Sequence, residues 1–338
     1  MTKLDVGGEI VSPPRRKLRV SPLLAWVAVA PFAVWAAARL AGLDGLDGAG
    51  RLSAAGVALM TGTPYVAAAS LLAVPIALAA RRPAVIAVAG AASVLLAAVV
   101  LPRAAGSTPT AGGPSLRILT VNLFFGAGDA ATVVDLVRRL RPDVLNTQEL
   151  TPKAVEALDA AGVERLLPYR RLEAGPGPSG SGIYARHPLT EAPDFAPEGG
   201  HNMPRARLAL PSGPPVEIVD VHTLAPLSGA DAAQWTAELA ALPAASPGVV
   251  RVLAGDFNAS LDHAALRAVL GRGYADAADA TGDGLATTWP AGRRYPPLIT
   301  IDHVLYDERA SAVSTGVHTV PGSDHRALFA ELRLPRSL

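Results

Sequence analysis

The stretch LAGDFNAS, residues 253–260, closes an apolar run, VVRVLAG, with an acid, an aromatic, an amide and small residues. Read alone it is a tight turn, because Gly, Asp and Asn cluster wherever strands end. Its spacing also permits something more specific. Asp256 and Asn258 are two residues apart, so both side chains leave one side of the strand end while Phe257 turns into the core. The segments on either side decide between a turn and a site.

Working outward, strands and helices alternate from about residue 116. RILTVNL (117–123) reads as a buried strand. AATVVDLVRRLRP (130–142) has helical spacing, with Val133, Leu136, Val137 and Leu140 on one face and Arg141–Pro142 ending it. DVLNTQE (143–149) is a second strand, and Thr151–Pro152 opens a helix as N-cap and first helical residue. SGIYAR, PRARLAL and VEIVDVHT follow as strands, then helices near 232–242 and 262–270 flank VVRVLAGD, and LITIDHVLYD and HRALFAELRL close the chain. This mixture of strand–helix units and meanders predicts an α/β architecture with two sheet layers covered by helices. GPGPSGSG (175–182) lacks the G-K-[ST] ending and following helix of a phosphate-binding loop and reads as a mobile Gly-rich loop.

These strands share one habit: they deliver an acid, amide or imidazole at an end. Asn122 lies near the end of the first strand and Glu149 at the end of the second. His222 ends VEIVDVH, Asp256 and Asn258 follow VVRVLAG, Asp302 lies within LITIDHVLY, and Asp324–His325 opens the last strand. In α/β folds ligand chemistry gathers at strand ends, where loops converge on a rigid scaffold. Carboxylates and amides without thiolates suit a hard divalent cation, Mg²⁺ or Mn²⁺. Histidines beside carboxylates suit a phosphoryl group that gathers negative charge.

Asn122, QE at 148–149, HT at 222–223, GDFN at 255–258, IDH at 301–303 and SDH at 323–325 together resemble the endonuclease/exonuclease/phosphatase superfamily, with its deoxyribonuclease-I-like fold. The blocks stand in the family's order and span about residues 116–334. The resemblance implies a four-layer α/β/β/α sandwich with its site at one mouth. It also implies roles. Glu149 would be the principal metal carboxylate, with Asn122 beside it and Asp324 as a further ligand. Asp256 would orient or deprotonate the attacking water, and Asn258 would hold that water or a phosphoryl oxygen. His325 would contact the scissile phosphate, its tautomer set by Asp302, and His222 would be a phosphate contact. His303 should point to the face opposite Asp302 and read as structural. His187, His201, His263 and His318 read as solvated, and TTWP (287–290) as packing of the site wall. Arg205 and Arg207 are of a type to reach a phosphate, with no firm family position. The mid-domain tyrosine usual in the nuclease members has no counterpart here.

The first hundred residues differ in kind. Apolar stretches at 22–40, 54–80 and 83–101 are each about long enough to cross a bilayer as helix. Two further spans after the first argue against a cleaved signal peptide. Arg15, Arg16, Lys17 and Arg19 precede the first span and Arg81–Arg82 lie between the second and third, whereas Arg39 and Arg51 are offset by Asp44 and Asp47. The positive-inside rule then predicts a cytoplasmic N-terminus (1–21), three spans (22–102), a Gly/Pro/Ser/Thr/Ala linker (103–115) and an extracytoplasmic domain (116–338).

Composition narrows the chemistry further. The 338 residues contain no cysteine, which excludes disulfides, zinc–thiolate sites and thiol catalysis. Mean hydropathy is +0.30, concentrated in the N-terminal third. Residues 1–115 carry ten Lys/Arg and four Asp/Glu, net +6, and residues 116–338 carry twenty and twenty-five, net −5. A net-negative domain lacks the basic footprint of a non-specific nucleic-acid binder, so no stable nucleic-acid partner is expected. Held close to a bilayer by a short linker, the domain would meet lipid-linked phosphates or pyrophosphates. The layout also resembles the membrane-bound teicoplanin-resistance (VanJ-like) branch of the superfamily, which implies a cell-envelope lipid such as undecaprenyl pyrophosphate. An extracytoplasmic nuclease, a phospholipid phosphodiesterase and a non-catalytic membrane protein that merely keeps the fold are the competing expectations.

Overall fold

The computed structural model describes residues 20–45, 51–192 and 200–338. Arg15, Arg16, Lys17 and Arg19, on which the expected orientation rests, and Asp47 lie outside the described residues.

Among the described residues two six-stranded sheets pack face to face. The first runs in the order β11 (Ser311–Thr319), β12 (Arg326–Arg333), β1 (Ser115–Asn122), β2 (Val144–Gln148), β4 (Ser181–Ala185), β3 (Tyr169–Glu173). The second runs β5 (Leu189–Glu191), β6 (Arg205–Leu208), β7 (Val216–His222), β8 (Val250–Asp256), β10 (Asp302–Asp307), β9 (Tyr274–Asp276). Strand alternation explains the layering. Ile118, Val144, Ile218, Val252, Val304 and Leu328 fill the space between the sheets. Their sequence neighbours Leu119 and Leu145 turn outward onto α5 (Ala130–Leu140) and α6 (Pro152–Ala161). Val219, Leu253 and Leu305 turn outward onto α7 (Gly229–Ala241) and α8 (Ala264–Leu270). The result is the expected four-layer sandwich.

The same alternation places the chemistry. Counting in twos from the inter-sheet residues Val252 and Ala254 reaches Asp256, from Ile218 reaches Asp220 and His222, and from Val304 back reaches Asp302. β1 pairs parallel with β2 and β7 with β8, so their C-terminal ends share one edge of the sandwich. β10 and β12 run antiparallel to those neighbours, so their starts meet the same edge, with Asp302 opposite Asp256. Gly255 makes the closest pairing possible: a Cβ there would collide with the Val221 carbonyl of the neighbouring strand, and its φ is 156°. Gly255→Ala should therefore destabilise the domain by on the order of 3 kcal/mol or more, because backbone cannot yield as a side-chain tip can. Thermal unfolding unchanged within a degree of wild type would refute this.

Three helices before the domain are long and apolar enough to cross a membrane: α1 (Pro22–Ala41), α3 (Thr63–Ala80) and α4, whose apolar stretch runs Pro83–Ala104. They pack on one another, Trp35 Nε1 of α1 donating to Thr63 Oγ1 at 3.1 Å and Ser93 Oγ of α4 to the Ser70 carbonyl at 3.2 Å. The expected second span from residue 54 starts later. α2 (Arg51–Met60) is a separate helix, ended at Thr61–Gly62, and Pro64 in the first turn of α3 restarts the chain without a donor to lose. α2 leaves the bundle and inserts Val57 beside Trp235 and Leu239 of the domain.

α1 and α4 end, and α3 begins, at the domain, and a buried clamp locks that junction. Asp262 receives Arg39 Nε at 2.7 Å and Arg103 Nη1 and Nη2 at 2.8 and 2.7 Å. Burial alone would raise this carboxyl, but the two guanidinium groups hold it below the usual range. His263, expected to be solvated, is buried: Nδ1 accepts the Ser260 N–H and Nε2 donates to the Val57 carbonyl, both at 2.8 Å, because α2 covers it. The linker is likewise pinned. Ser107 N bonds Ala280 O at 2.7 Å, Thr110 N and Ala111 N bond Ser311 Oγ, and Gly113 N bonds Leu334 O at 2.9 Å.

Candidate active site

All eight sequence-predicted site residues meet at the shared strand edge, in one chain of contacts. Asn122, the last residue of β1, donates through Nδ2 to Glu149 Oε1 and to Asp256 Oδ2, each at 3.1 Å. Its Oδ1 accepts the Phe124 N–H at 2.9 Å. In this arrangement Asn122 bridges two carboxylates, and its amide oxygen is turned to the backbone. Asn122 thus stands beside Glu149, and its amide ties that carboxylate to Asp256.

Glu149 follows β2 at a φ of 55°, and Phe124, Phe125 and Asn258 also have positive φ, 46°, 52° and 46°. Such backbone is disfavoured for side-chain-bearing residues, at about 1–3 kcal/mol each, and gathers at functional sites. Its product here is visible: Phe125 N–H is aimed at Glu149 Oε2 at 2.6 Å, and Asn258 N–H at Asp256 Oδ1 at 2.9 Å. Asn258 Nδ2 is tied to the Thr223 carbonyl at 2.9 Å, beside His222.

The imidazole side is as closely built. His325 Nδ1 lies 3.0 Å from Asp302 Oδ2, and its Nε2 faces Asp256 Oδ2 at 3.7 Å and Asp324 Oδ1 at 3.9 Å. Burial disfavours the imidazolium, yet the Asp302, Asp256 and Asp324 carboxylates outweigh it and lift His325 to about 10. Burial pushes Asp256 up to about 7; the His325 cation opposes this and the Asp302 carboxylate adds to it. His222 Nε2 is 4.0 Å from Asp256 Oδ2, and burial, with His201 and His325 nearby, drives it well below its ordinary value, so it stays neutral at pH 7.

Two carboxylates and an imidazole lie close enough together to share a cation. Asp256, Asp302 and His325 have donor atoms within 4.8 Å of one another. Asp302 and His325 are already bonded to each other, however, and a protonated imidazole does not ligate. Asp324 Oδ1 is buried with no hydrogen-bond partner, the kind of orphan that a ligand satisfies.

Several positioning residues were not singled out from sequence. Asp220, two residues before His222, accepts N–H groups from Gln148, Thr147 and Gly182 and so braces the strand that ends in Glu149. An acid in mid-strand on the apolar inner face was its signal. Ser323 Oγ donates to the Asn122 carbonyl at 2.7 Å and accepts His325 N–H at 3.0 Å. Thr288 Oγ1 caps Ile301 N and Asp302 N, and Trp289 Nε1 donates to Asp324 Oδ2 at 3.2 Å, so TTWP holds the acids as well as walling the site. His201, expected to be solvated, stacks on His222 with ring centres 4.0 Å apart. The Gly-rich loop is bonded in place: Leu150 N–H, next to Glu149, donates to Gly180 O at 2.9 Å. Arg205 pairs with Glu217 at 2.7 Å and Arg207 is exposed, both away from the cluster. His303 is structural, held between Asp276 and the Ala259 carbonyl at 2.8 Å each.

A two-sheet sandwich closing over acids, an amide and an Asp–His pair defines a phosphoesterase-type hydrolase domain. Residues 119–325, more than half of the chain, match the Endonuclease/Exonuclease/phosphatase family, and the chain belongs to it. Among solved structures it is similar to an endonuclease/exonuclease/phosphatase from Beutenbergia cavernae, 19% identical, covering 65% of this chain and 72% of that one at a TM-score of 0.50. It is similar to a humanized D. rerio TDP2, 18% identical, covering 64% and 98% at 0.51. An AP endonuclease from Archaeoglobus fulgidus is 16% identical, covering 64% and 98% at 0.50. At these identities the likeness is one of fold. No curated protein matches the chain.

Proposed function

We propose that the protein is a membrane-anchored, Mg²⁺- or Mn²⁺-dependent phosphohydrolase that cleaves a lipid-linked phosphate or pyrophosphate on the extracytoplasmic side, with undecaprenyl pyrophosphate as the leading substrate and glycopeptide (teicoplanin) resistance as the associated role. The observation that carries the reading is the Asp262 clamp: it fixes a family hydrolase site rigidly against three membrane-length helices. One exposed side chain agrees with a lipid: Phe125, whose N–H meets Glu149, is 53% exposed. The net charge of −5 over residues 116–338 weighs against a nuclease.

In this mechanism Glu149 and Asp324 would hold the cation, with Asn122 aligning Glu149. When bound, the metal would supply charge neutralisation at the phosphoryl oxygens. Asp256, near 7, is poised to take a proton from water held against Asn258, in line with the leaving oxygen. His325, kept as imidazolium by Asp302, donates from Nε2 to a phosphoryl oxygen, and neutral His222 adds a second polar contact.

The test is phosphate release from undecaprenyl pyrophosphate by the full chain with Mg²⁺, beside a plasmid-nicking assay. EDTA should abolish release and Mg²⁺ or Mn²⁺ restore it, and Glu149→Ala should lower it at least about a hundredfold. Nicking without lipid hydrolysis would replace this reading with the nuclease one. A reporter fused at Leu338 should respond as extracytoplasmic; a cytoplasmic signal would invert the proposed orientation.

A further inference from the structure

A cavity of about 240 Å³ lies at the junction, between the start of α3 and the hairpin of residues 287–300. Pro64, Tyr65, Leu285, Leu298 and Ile299 give it a mostly apolar wall, and the Arg103–Asp262 ion pair lines another side. Its rim is open: Tyr65, Leu285 and Leu298 are half-exposed, at the end of a helix long and apolar enough to cross a membrane. The cavity is smaller than the roughly 300–1,000 Å³ of sites that enclose a whole small ligand, so it suits a segment of a longer one.

Three successive contacts join this cavity to the site. Tyr65 Oη donates to Leu298 O at 2.5 Å, Leu298 N to Trp289 O at 2.9 Å, and Trp289 Nε1 to Asp324 Oδ2 at 3.2 Å. The hairpin is thus apolar at the cavity and bonded to a site acid on its other strand. Its tip exposes Arg293 and Arg294, which have no ion-pair partner among the described residues. One hairpin thus carries an apolar wall, two exposed cations at its tip and a hydrogen bond to a site acid, a combination that complements a chain ending in a diphosphate.

We infer that this cavity holds the chain segment adjoining the diphosphate of a polyprenyl pyrophosphate and so presents the head group to the site. The inference rests on the lipid-phosphate reading above and adds to it where the lipid is gripped. Filling the cavity from its rim with Leu285→Trp or Leu298→Trp should raise KM for undecaprenyl pyrophosphate about tenfold, the low end of what one methylene decides in an apolar pocket. The same variants should leave kcat/KM for dimethylallyl pyrophosphate, which has almost no chain to place, at the wild-type value. Equal loss on both substrates, or loss on neither, would overturn the inference. If the wild type hydrolyses neither substrate, the lipid-phosphate reading fails, and photo-crosslinking separates the two questions. A benzophenone-bearing farnesyl pyrophosphate should then label peptides containing residues 61–65 or 284–300 of the full chain, and labelling confined to other peptides would overturn the cavity assignment.

Discussion

His325→Ala should lower kcat on a lipid pyrophosphate by roughly 10³-fold or more, while the protein still folds. Two effects compound. A donor aimed at developing negative charge is worth about 10²–10³ in rate. The substitution also removes the cation that restrains Asp256, whose burial already raises it to about 7, so less of that carboxylate would be ionised to accept the proton from water. Asp302→Asn should fall between wild type and His325→Ala, since it keeps the imidazole 3.0 Å away but withdraws the charge that fixes its protonation. Initial rates on the purified full chain in Mg²⁺, with thermal unfolding as the control, decide the matter. A loss below tenfold for His325→Ala would remove His325 from the chemistry, and a deeper loss for Asp302→Asn than for His325→Ala would break the proposed order.

These residues were legible in the sequence because chemistry and period coincide at a strand end. Asp256 lies two residues past Ala254 and His222 four past Ile218, so the count in twos that builds the inter-sheet core also aims the site. Glu149, Asp302 and His325 sit in short blocks whose order survives in a single chain. What could not be read are the partners that those residues meet through the fold. Asn122 was placed beside Glu149, but which of its amide atoms faces the acid depends on the Phe124 N–H, supplied by a backbone of positive φ that no residue type announces. Trp289 reaches Asp324 only because two hairpin strands bring residues 289 and 299 together. The N-terminal third shows the same division. Hydropathy located the three long apolar helices, yet it merged α2 with α3, because the Ala, Val, Leu and Met of a helix packed on Trp235 and Leu239 continue the apolar run.

Asp262 shows that limit most sharply, and it carries the largest expected effect on stability. In sequence it is one acid beside a helix, while its partners Arg39 and Arg103 stand 223 and 159 residues away. In the fold the Asp262 side chain is 1% exposed, between guanidinium groups 9% and 8% exposed. Asp262→Ala leaves two buried cations without a counter-charge, and removing one partner of a buried pair costs about 3–5 kcal/mol. The junction, rather than the sandwich core, bears that loss. Limited proteolysis should therefore accelerate at residues 103–115, now pinned to the domain, while hydrolysis of a soluble short-chain pyrophosphate continues. Asp262→Asn, which keeps acceptors but not charge, should lie between. The combined change Arg39→Met, Asp262→Leu and Arg103→Met should recover most of the protection, since a buried ion cluster replaced whole by apolar side chains is often neutral or stabilising. Were Asp262→Ala cleaved at the wild-type rate, the clamp would not be what holds the domain to its helices. Were the triple variant as labile as the single one, charge and geometry together, not burial of the junction, would be what the site requires.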